Sequence, residues 1–200
     1  MQIRAPAILV SARQHGETAV IGRFLTAEYG LIAAYVAGGR GRVLRPVLIP
    51  GNLVEVQISA RGDNQLPFAK VELVSSRGPY LAEPLAAAAI GWVTALTATV
   101  LPERQPYRNL HQALGALLDA VCFAPSARGW AEALVGYETL LLRELGFGGG
   151  VERPQGNLAA VLAALDALTD PLQHYLLADA RADVMAARAR LRELLRRMEQ

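Results

Sequence analysis

Side chains able to make or break bonds are few in this sequence, and they are far apart. His15, His111 and His174 are scattered, no His-Glu-x-x-His or nucleophile elbow occurs, and the one thiol, Cys122, lies in the apolar run LLDAVCF, where a small core side chain is the expected role. A metal centre needs His, Cys, Asp or Glu at close spacing, and a lone cysteine also excludes a thiolate finger or an internal disulfide. Neither a metal nor a cofactor is therefore expected. Gly38, Gly39 and Gly41 follow a strand-like run in GGRGR, but no GxxxxGK[ST] comes after them and no GxGxxG opens a helix, so a nucleotide cradle is not expected either.

What remains is non-covalent chemistry, and its carrier is arginine. Every basic residue except Lys70 is Arg, whose planar fork suits bidentate contact with phosphate. The net charge of +2 hides an asymmetry: within residues 1–79, nine basic side chains stand against five acidic ones. A second basic zone, Arg181 to Arg197, closes the chain.

These arginines fall among short apolar alternations at about 7–11, 18–26, 31–37, 52–60 and 68–75, separated by turn-rich stretches. In the fourth run Val54, Val56 and Ile58 share one face, and Glu55, Gln57 and Ser59 the other. Five short strands in so few residues predict a small OB-type barrel, which binds ligands across strands 2 and 3 between the loops joining strands 1–2 and 4–5. Those loops contain Arg13, His15 and Arg61. Strands 2 and 3 supply Arg23, Phe24, Tyr29 and Tyr35, and the segment leaving strand 3 supplies Arg40, Arg42 and Arg45. Cation and ring interleave as a single-strand stacking platform requires. The expected DNA-binding set is Arg13, Arg23, Arg40, Arg42, Arg45, Arg61 and Tyr35. A plainer reading stays open beside it, in which Phe24 or Tyr35 fills the barrel and the arginines form a solvated face.

Near Gly78 and Pro79 the apolar period changes from 2 to 3.6, predicting a barrel domain at 1–79 and a helical domain at 80–200, an α+β chain. Helices are expected at about 81–101, 106–121, 127–145, 157–168 and 180–199. In the third, Ser126 can cap the start, Trp130, Leu134, Tyr137, Leu141 and Leu145 form an apolar stripe, and Gly146 suits a left-handed C-terminal cap. Arg128 and Arg143 flank that stripe. Beside Trp130 and Tyr137 these two cations could hold a carboxylate and an adjacent ring together. In the last helix Val184, Ala187, Leu191, Leu194 and Met198 form an apolar stripe, with Arg188, Arg192 and Arg196 on a basic one. The hydrophobic fraction of 52% argues against disorder. The uncharged run 85–101 is shorter than the roughly 20 residues of a membrane span, and the start lacks a secretory pattern. A cytoplasmic protein without a membrane segment, monomeric alone, is expected.

The run AILVSARQHGETAVIGRFLTAEYGLIAAYVAGGRGRVLRPVLIPGNLVEV, with its Gly-Glu-Thr turn, Leu-Thr-x-Glu-x-Gly and Leu-x-Pro-x-x-Leu, resembles the N-terminal domain of the recombination mediator family RecO. The stretch YETLLLRELGFG resembles that family's aromatic-Glu-x-x-Leu-Leu helix, and LTDPLQHYLLADARADVMAARARLRELLRRM the C-terminal part of alphaproteobacterial members. The resemblance implies an OB domain followed by helices, and a non-enzymatic role in DNA repair at the nucleoid: binding single-stranded DNA, annealing complementary strands, engaging the C-terminal tail of single-strand-binding protein, and acting with RecR to help load RecA. Two departures stand out. The loop GFGGGVERPQGN lacks the cysteines of the family's zinc module, and Val135 and Gly136 stand where some relatives carry Arg, so the docking site that the resemblance implies for the acidic, aromatic-ended tail is expected at Arg128, Trp130, Tyr137 and Arg143 instead. An OB-plus-helix adaptor that holds protein partners without touching DNA is the competing reading.

Overall fold

The computed structural model describes residues 2–60, 62, 65–148, 151–152, 154, 157–178, 180 and 184–198. Residues 1–82 and 101–111 form one compact unit, and 83–100 with 112–200 a second.

The first unit is a closed barrel of β1 (Gln2–His15), β2 (Ala19–Thr26), β3 (Gly30–Val36), β4 (Leu53–Ser59) and β5 (Phe68–Ser75), in the order β1-β2-β3-β5-β4. This five-stranded order is that of an OB fold, as expected. The apolar alternation marks only the middle of β1, because Pro6 and the polar run after Val10 interrupt it. Pairing carries the strand further: its first half lies against β4 and its second against β2. Inside, Leu9, Phe24, Ile32, Val54, Val56, Ile58 and Val71 form the core, with Leu44, Val47 and Leu48 from the β3–β4 connection packed on it. Phe24 thus fills the barrel, as the plainer reading allowed.

One irregularity decides what β1 presents. Leu9 is paired with Phe24 and Ser11 with Arg23, so Val10 is an extra residue against the β2 ladder. Strict alternation from Ala7 and Leu9 would turn residues 11, 13 and 15 inward. The bulge shifts the phase by one, so that Ala12 opposes inward Gly22 and Arg13 opposes Ile21 on the outer face.

Buried polar bonds close the foot of the barrel. The Asn52 side-chain amide donates to the carbonyls of Pro46 and Val47, at 3.1 and 3.0 Å, and its oxygen accepts the Arg77 N–H at 2.8 Å. From residue 101 the chain returns to this unit, where Glu103 forms an isolated bridge with Leu31.

The second unit contains α1 (Pro84–Val100), most of α2 (Arg108–Phe123), α3 (Arg128–Glu144), α4 (Leu158–Ala167), the short α5 (Thr169–Pro171) running into a π-helical turn at Leu172–Leu176, and α6 (Val184–Arg196). Among the described residues no helix is long and apolar enough to cross a membrane, and α1 buries Ile90, Trp92 and Leu96. Gly146 takes φ +86°, with Gly146 N–H donating to the Arg143 carbonyl and Phe147 N–H to that of Leu142, the reciprocal pair of a Schellman ending. The start of α3 departs from expectation. Ser126 makes no side-chain cap; Ala127 is the N-cap, and only the Ser126 carbonyl is used, accepting from Gly129 N–H.

A buried charge cluster ties these helices together. Glu138 of α3, fully buried, accepts hydrogen bonds from Trp92 Nε1 of α1 at 2.7 Å and from Arg188 Nε and Nη2 of α6 at 3.0 and 2.7 Å. The same guanidinium donates to Thr169 Oγ1 at 2.8 Å and to the Leu165 carbonyl at 2.7 Å. It also lies 5.9 Å from the Trp92 ring centroid. The expected basic stripe of α6 is therefore corrected. Arg188 is buried on the inward stripe with Val184, Leu191 and Leu195, while Met198 is exposed. An arginine can occupy that stripe because a matched carboxylate meets it there. Arg192 donates through Nε and Nη2, one edge of its guanidinium, to the two carboxylate oxygens of Asp166 of α4, which holds that carboxyl below its usual range, and Arg196 and Arg197 share Glu193.

Candidate nucleic-acid interface

Residues paired across neighbouring strands point to the same side of a sheet. On the outside of the barrel one row runs Arg13 (β1), Ile21 (β2), Tyr35 (β3) and Phe68 (β5), and the next runs Ser11, Arg23 and Ala33. Tyr35 is the hinge of an aromatic cluster: its ring centroid is 5.9 Å from His15 at 85° and 5.3 Å from Phe68 at 69°, both edge-to-face. Phe68 is 53% exposed although it opens a barrel strand. A large ring so exposed beside a second, half-exposed ring offers π-faces that the barrel core does not use. The main chain holds the pair in place, since Tyr35 N–H donates to the Pro67 carbonyl at 2.8 Å.

Reading the sequence alone missed Phe68 as a surface group. Nothing local marks it: Phe68 and Tyr35 are 33 positions apart in the sequence, and the parallel β3–β5 pairing that joins them is non-local. Tyr29 sits in the β2–β3 turn, exposed, away from that row, and its N–H is held by Thr26 Oγ1 at 3.0 Å.

The expected cations divide into three kinds. Arg13, Arg42 and Arg45 are exposed, the first on the outer face and the others on the turn-rich segment after β3. Arg40 has structural work: its Nη1 donates to the Glu17 and Gly16 carbonyls at 2.8 and 3.5 Å, and its N–H to the Thr18 carbonyl at 3.0 Å. It thereby ties the start of the Arg42–Arg45 segment to the β1–β2 turn, which follows His15. Arg23 is on the outer face, half-buried, and donates to Glu103 at 3.2 Å. Arg61 lies outside the described residues.

The expected peptide-docking residues do not form one site. Trp130 and Tyr137 are 3% and 2% exposed, core side chains that cannot meet a partner. The Tyr137 hydroxyl bonds Thr97 Oγ1 at 2.6 Å, and burial pushes its pKa well above the ordinary phenol range. The apolar spacing along α3 marks packing, because the stripe that would grip a peptide is the one the helix buries. Arg128 and Arg143 are exposed, but they begin and nearly end α3, roughly 22 Å apart at 1.5 Å per residue, so they cannot grip one carboxylate. Arg128 alone lines a pocket of about 100 Å³ with Ala131, Glu132, Asn157, Leu158 and Val161. Among the described residues no group of three or more His, Cys, Asp or Glu could hold a metal ion.

Comparison with known proteins adds two findings. The family model for the recombination protein O N terminal matches residues 1–77, and that for the recombination protein O C terminal matches 81–150. Curated relatives named DNA repair protein RecO are similar to this chain: that of Rhodospirillum centenum is 43% identical over 143 residues, 71% of this chain and 56% of that protein. Those of Paracoccus denitrificans and Rhodospirillum rubrum are 40% and 42% identical over 148 and 146 residues, which is 74% and 70% of this chain. The matched stretches span 60% and 57% of those two proteins, so the similarity reaches little more than half of their length.

Proposed function

We propose that this chain, which belongs to the RecO family of DNA repair proteins, binds single-stranded DNA on the outer face of its barrel and brings complementary strands together as a non-enzymatic recombination mediator. The observation that carries this reading is the outward row Arg13–Ile21–Tyr35–Phe68, exposed at Arg13 and Phe68, with the Arg42–Arg45 segment tied through Arg40 to the β1–β2 turn. Aromatic faces take unpaired bases and arginines neutralise the backbone, a pairing suited to single strands of any sequence. Stacking occupies the base faces and leaves the pairing edges free for a complementary strand. In this reading the protein acts in the cytoplasm at the nucleoid, as a monomer alone, and works with RecR so that RecA replaces single-strand-binding protein.

The stacking half of the reading has its own test. Tyr35→Ala and Phe68→Ala are each expected to weaken binding of a 30-mer single strand by about 1–3 kcal/mol, roughly 5- to 150-fold, without changing the salt dependence. Fluorescence anisotropy at several salt concentrations measures both quantities. Unchanged affinity in both variants favours the adaptor reading, in which the face meets protein.

The tail of single-strand-binding protein would dock on the helical unit at the Arg128 pocket, where one cation lies beside Ala131, Leu158 and Val161. Arg128→Ala is expected to lower affinity for a tail peptide by about 1.5–3 kcal/mol, the worth of a charge-assisted bond. Arg143→Ala, at the far end of α3, should leave it unchanged in the same titration.

A further inference from the structure

The outer face of the barrel changes character along its length. At the Tyr35 and Phe68 end it is open; further along the same face Leu25 and Leu31 are fully buried. Arg23 stands at the boundary, 26% exposed, and its Nη2 donates to Glu103 Oε1 at 3.2 Å. Glu103 does not reach that position by a flexible excursion. Its segment is laid along β3: Glu103 bridges Leu31, and Arg104 N–H donates to the Leu31 carbonyl at 2.9 Å. The neighbouring backbone shows how closely it is held. Arg104 takes φ +61°, uncommon for a residue with a side chain. Gly30, at φ +69°, lies so near Gln105 that a Cβ would come within 2.2 Å of its carbonyl oxygen. At its far end Arg108 reaches Glu28 at 3.9 Å.

A carboxylate held by the main chain against an arginine on the nucleic-acid face makes the kind of contact a backbone phosphate would make there. Building on the single-strand-binding reading, we infer that Glu103 is an internal stand-in for phosphate: it holds Arg23 in the free protein and keeps hold of it when single-stranded DNA binds, so that one cation on the nucleic-acid face is withheld from the strand. The device limits affinity at one end of the platform, which suits a protein that must hold a strand and then release it. Glu103 here regulates the site and touches no reacting group.

The test is a double-mutant cycle on the full chain with a 30-mer single strand, read as affinity and as the slope of log K against log salt. Glu103→Gln keeps the shape and removes the charge. It should tighten binding about three- to tenfold at low salt and make the slope more negative by about 0.7, the increment for one further phosphate. Arg23→Ala alone should change little, because Glu103 already occupies that arginine, whereas Arg23→Ala added to Glu103→Gln should cancel the gain. Glu28→Gln removes an equal charge from the same unit and should leave the slope unchanged. Circular dichroism checks each fold, and the Arg23→Ala arm keeps the cycle informative if Glu103→Gln folds poorly. If the unaltered protein and all variants fail to bind, the single-strand-binding reading falls and this inference with it. If the unaltered protein binds while Glu103→Gln leaves affinity and slope unchanged, or Glu28→Gln matches it, the inference alone is overturned. The same holds if Arg23→Ala alone flattens the slope by the full 0.7.

Discussion

Replacing Arg13, Arg42 and Arg45 together by alanine is expected to flatten the dependence of single-strand affinity on salt by about 2 in log K against log salt, because each phosphate neutralised on a single strand contributes roughly 0.7. These three are exposed; Arg40, also exposed, is committed to the Gly16 and Glu17 carbonyls, and half-buried Arg23 to Glu103. Strand annealing should slow in parallel, since bringing two backbones together requires the same charges. Arg40→Ala makes the contrast. It should loosen the segment that carries Arg42 and Arg45, and lower affinity with less than one phosphate's change in slope. An annealing rate unchanged in the triple variant, with its circular dichroism intact, would mean that DNA takes another path or that these arginines meet protein.

Glu138→Ala should destabilise the helical unit by about 3–5 kcal/mol, the usual consequence of leaving a buried charge without its partner. Arg188, 4% exposed, would keep its charge with only Thr169 and the Leu165 carbonyl as neutral acceptors, and the Trp92 N–H would lose its acceptor. Changing both partners to apolar residues of similar volume, Glu138→Leu with Arg188→Met, should cost much less than the single change, because no buried charge then remains. Urea unfolding followed by fluorescence of Trp92 and Trp130 measures the difference. A loss below 1 kcal/mol for Glu138→Ala would show that water enters and solvates Arg188.

Much of this architecture is legible in the chain because it depends on neighbours in sequence. Period-2 runs bounded by Gly and polar turns mark four of the five barrel strands to within a residue or two, since alternating side chains need only one buried face to define them. The change to period 3.6 near Gly78 marks the helices, and Gly146 marks an end that only a left-handed residue makes cheaply. Residue identity alone also placed the arginines in the barrel half and separated that half's charge from the rest.

Other features could not be read that way, and each has a non-local cause. Arg13 faces outward because the bulge at Val10 resets the phase of β1, a matter of how β1 pairs with β2. Phe68 becomes a surface ring beside Tyr35 only when the barrel closes through β3 and β5. Arg188 looks like a member of a basic stripe, yet it is buried because Glu138, 50 positions away, supplies its counter-charge. The same logic removes Trp130 and Tyr137 from the surface and occupies Arg23 with Glu103, 80 positions along the chain. Composition and periodicity determine which segments become strands or helices, because backbone preference and amphipathicity act over a few residues. Which charges and rings stay available to a ligand is decided by tertiary pairing, because a charge is free only when no distant residue has already taken it.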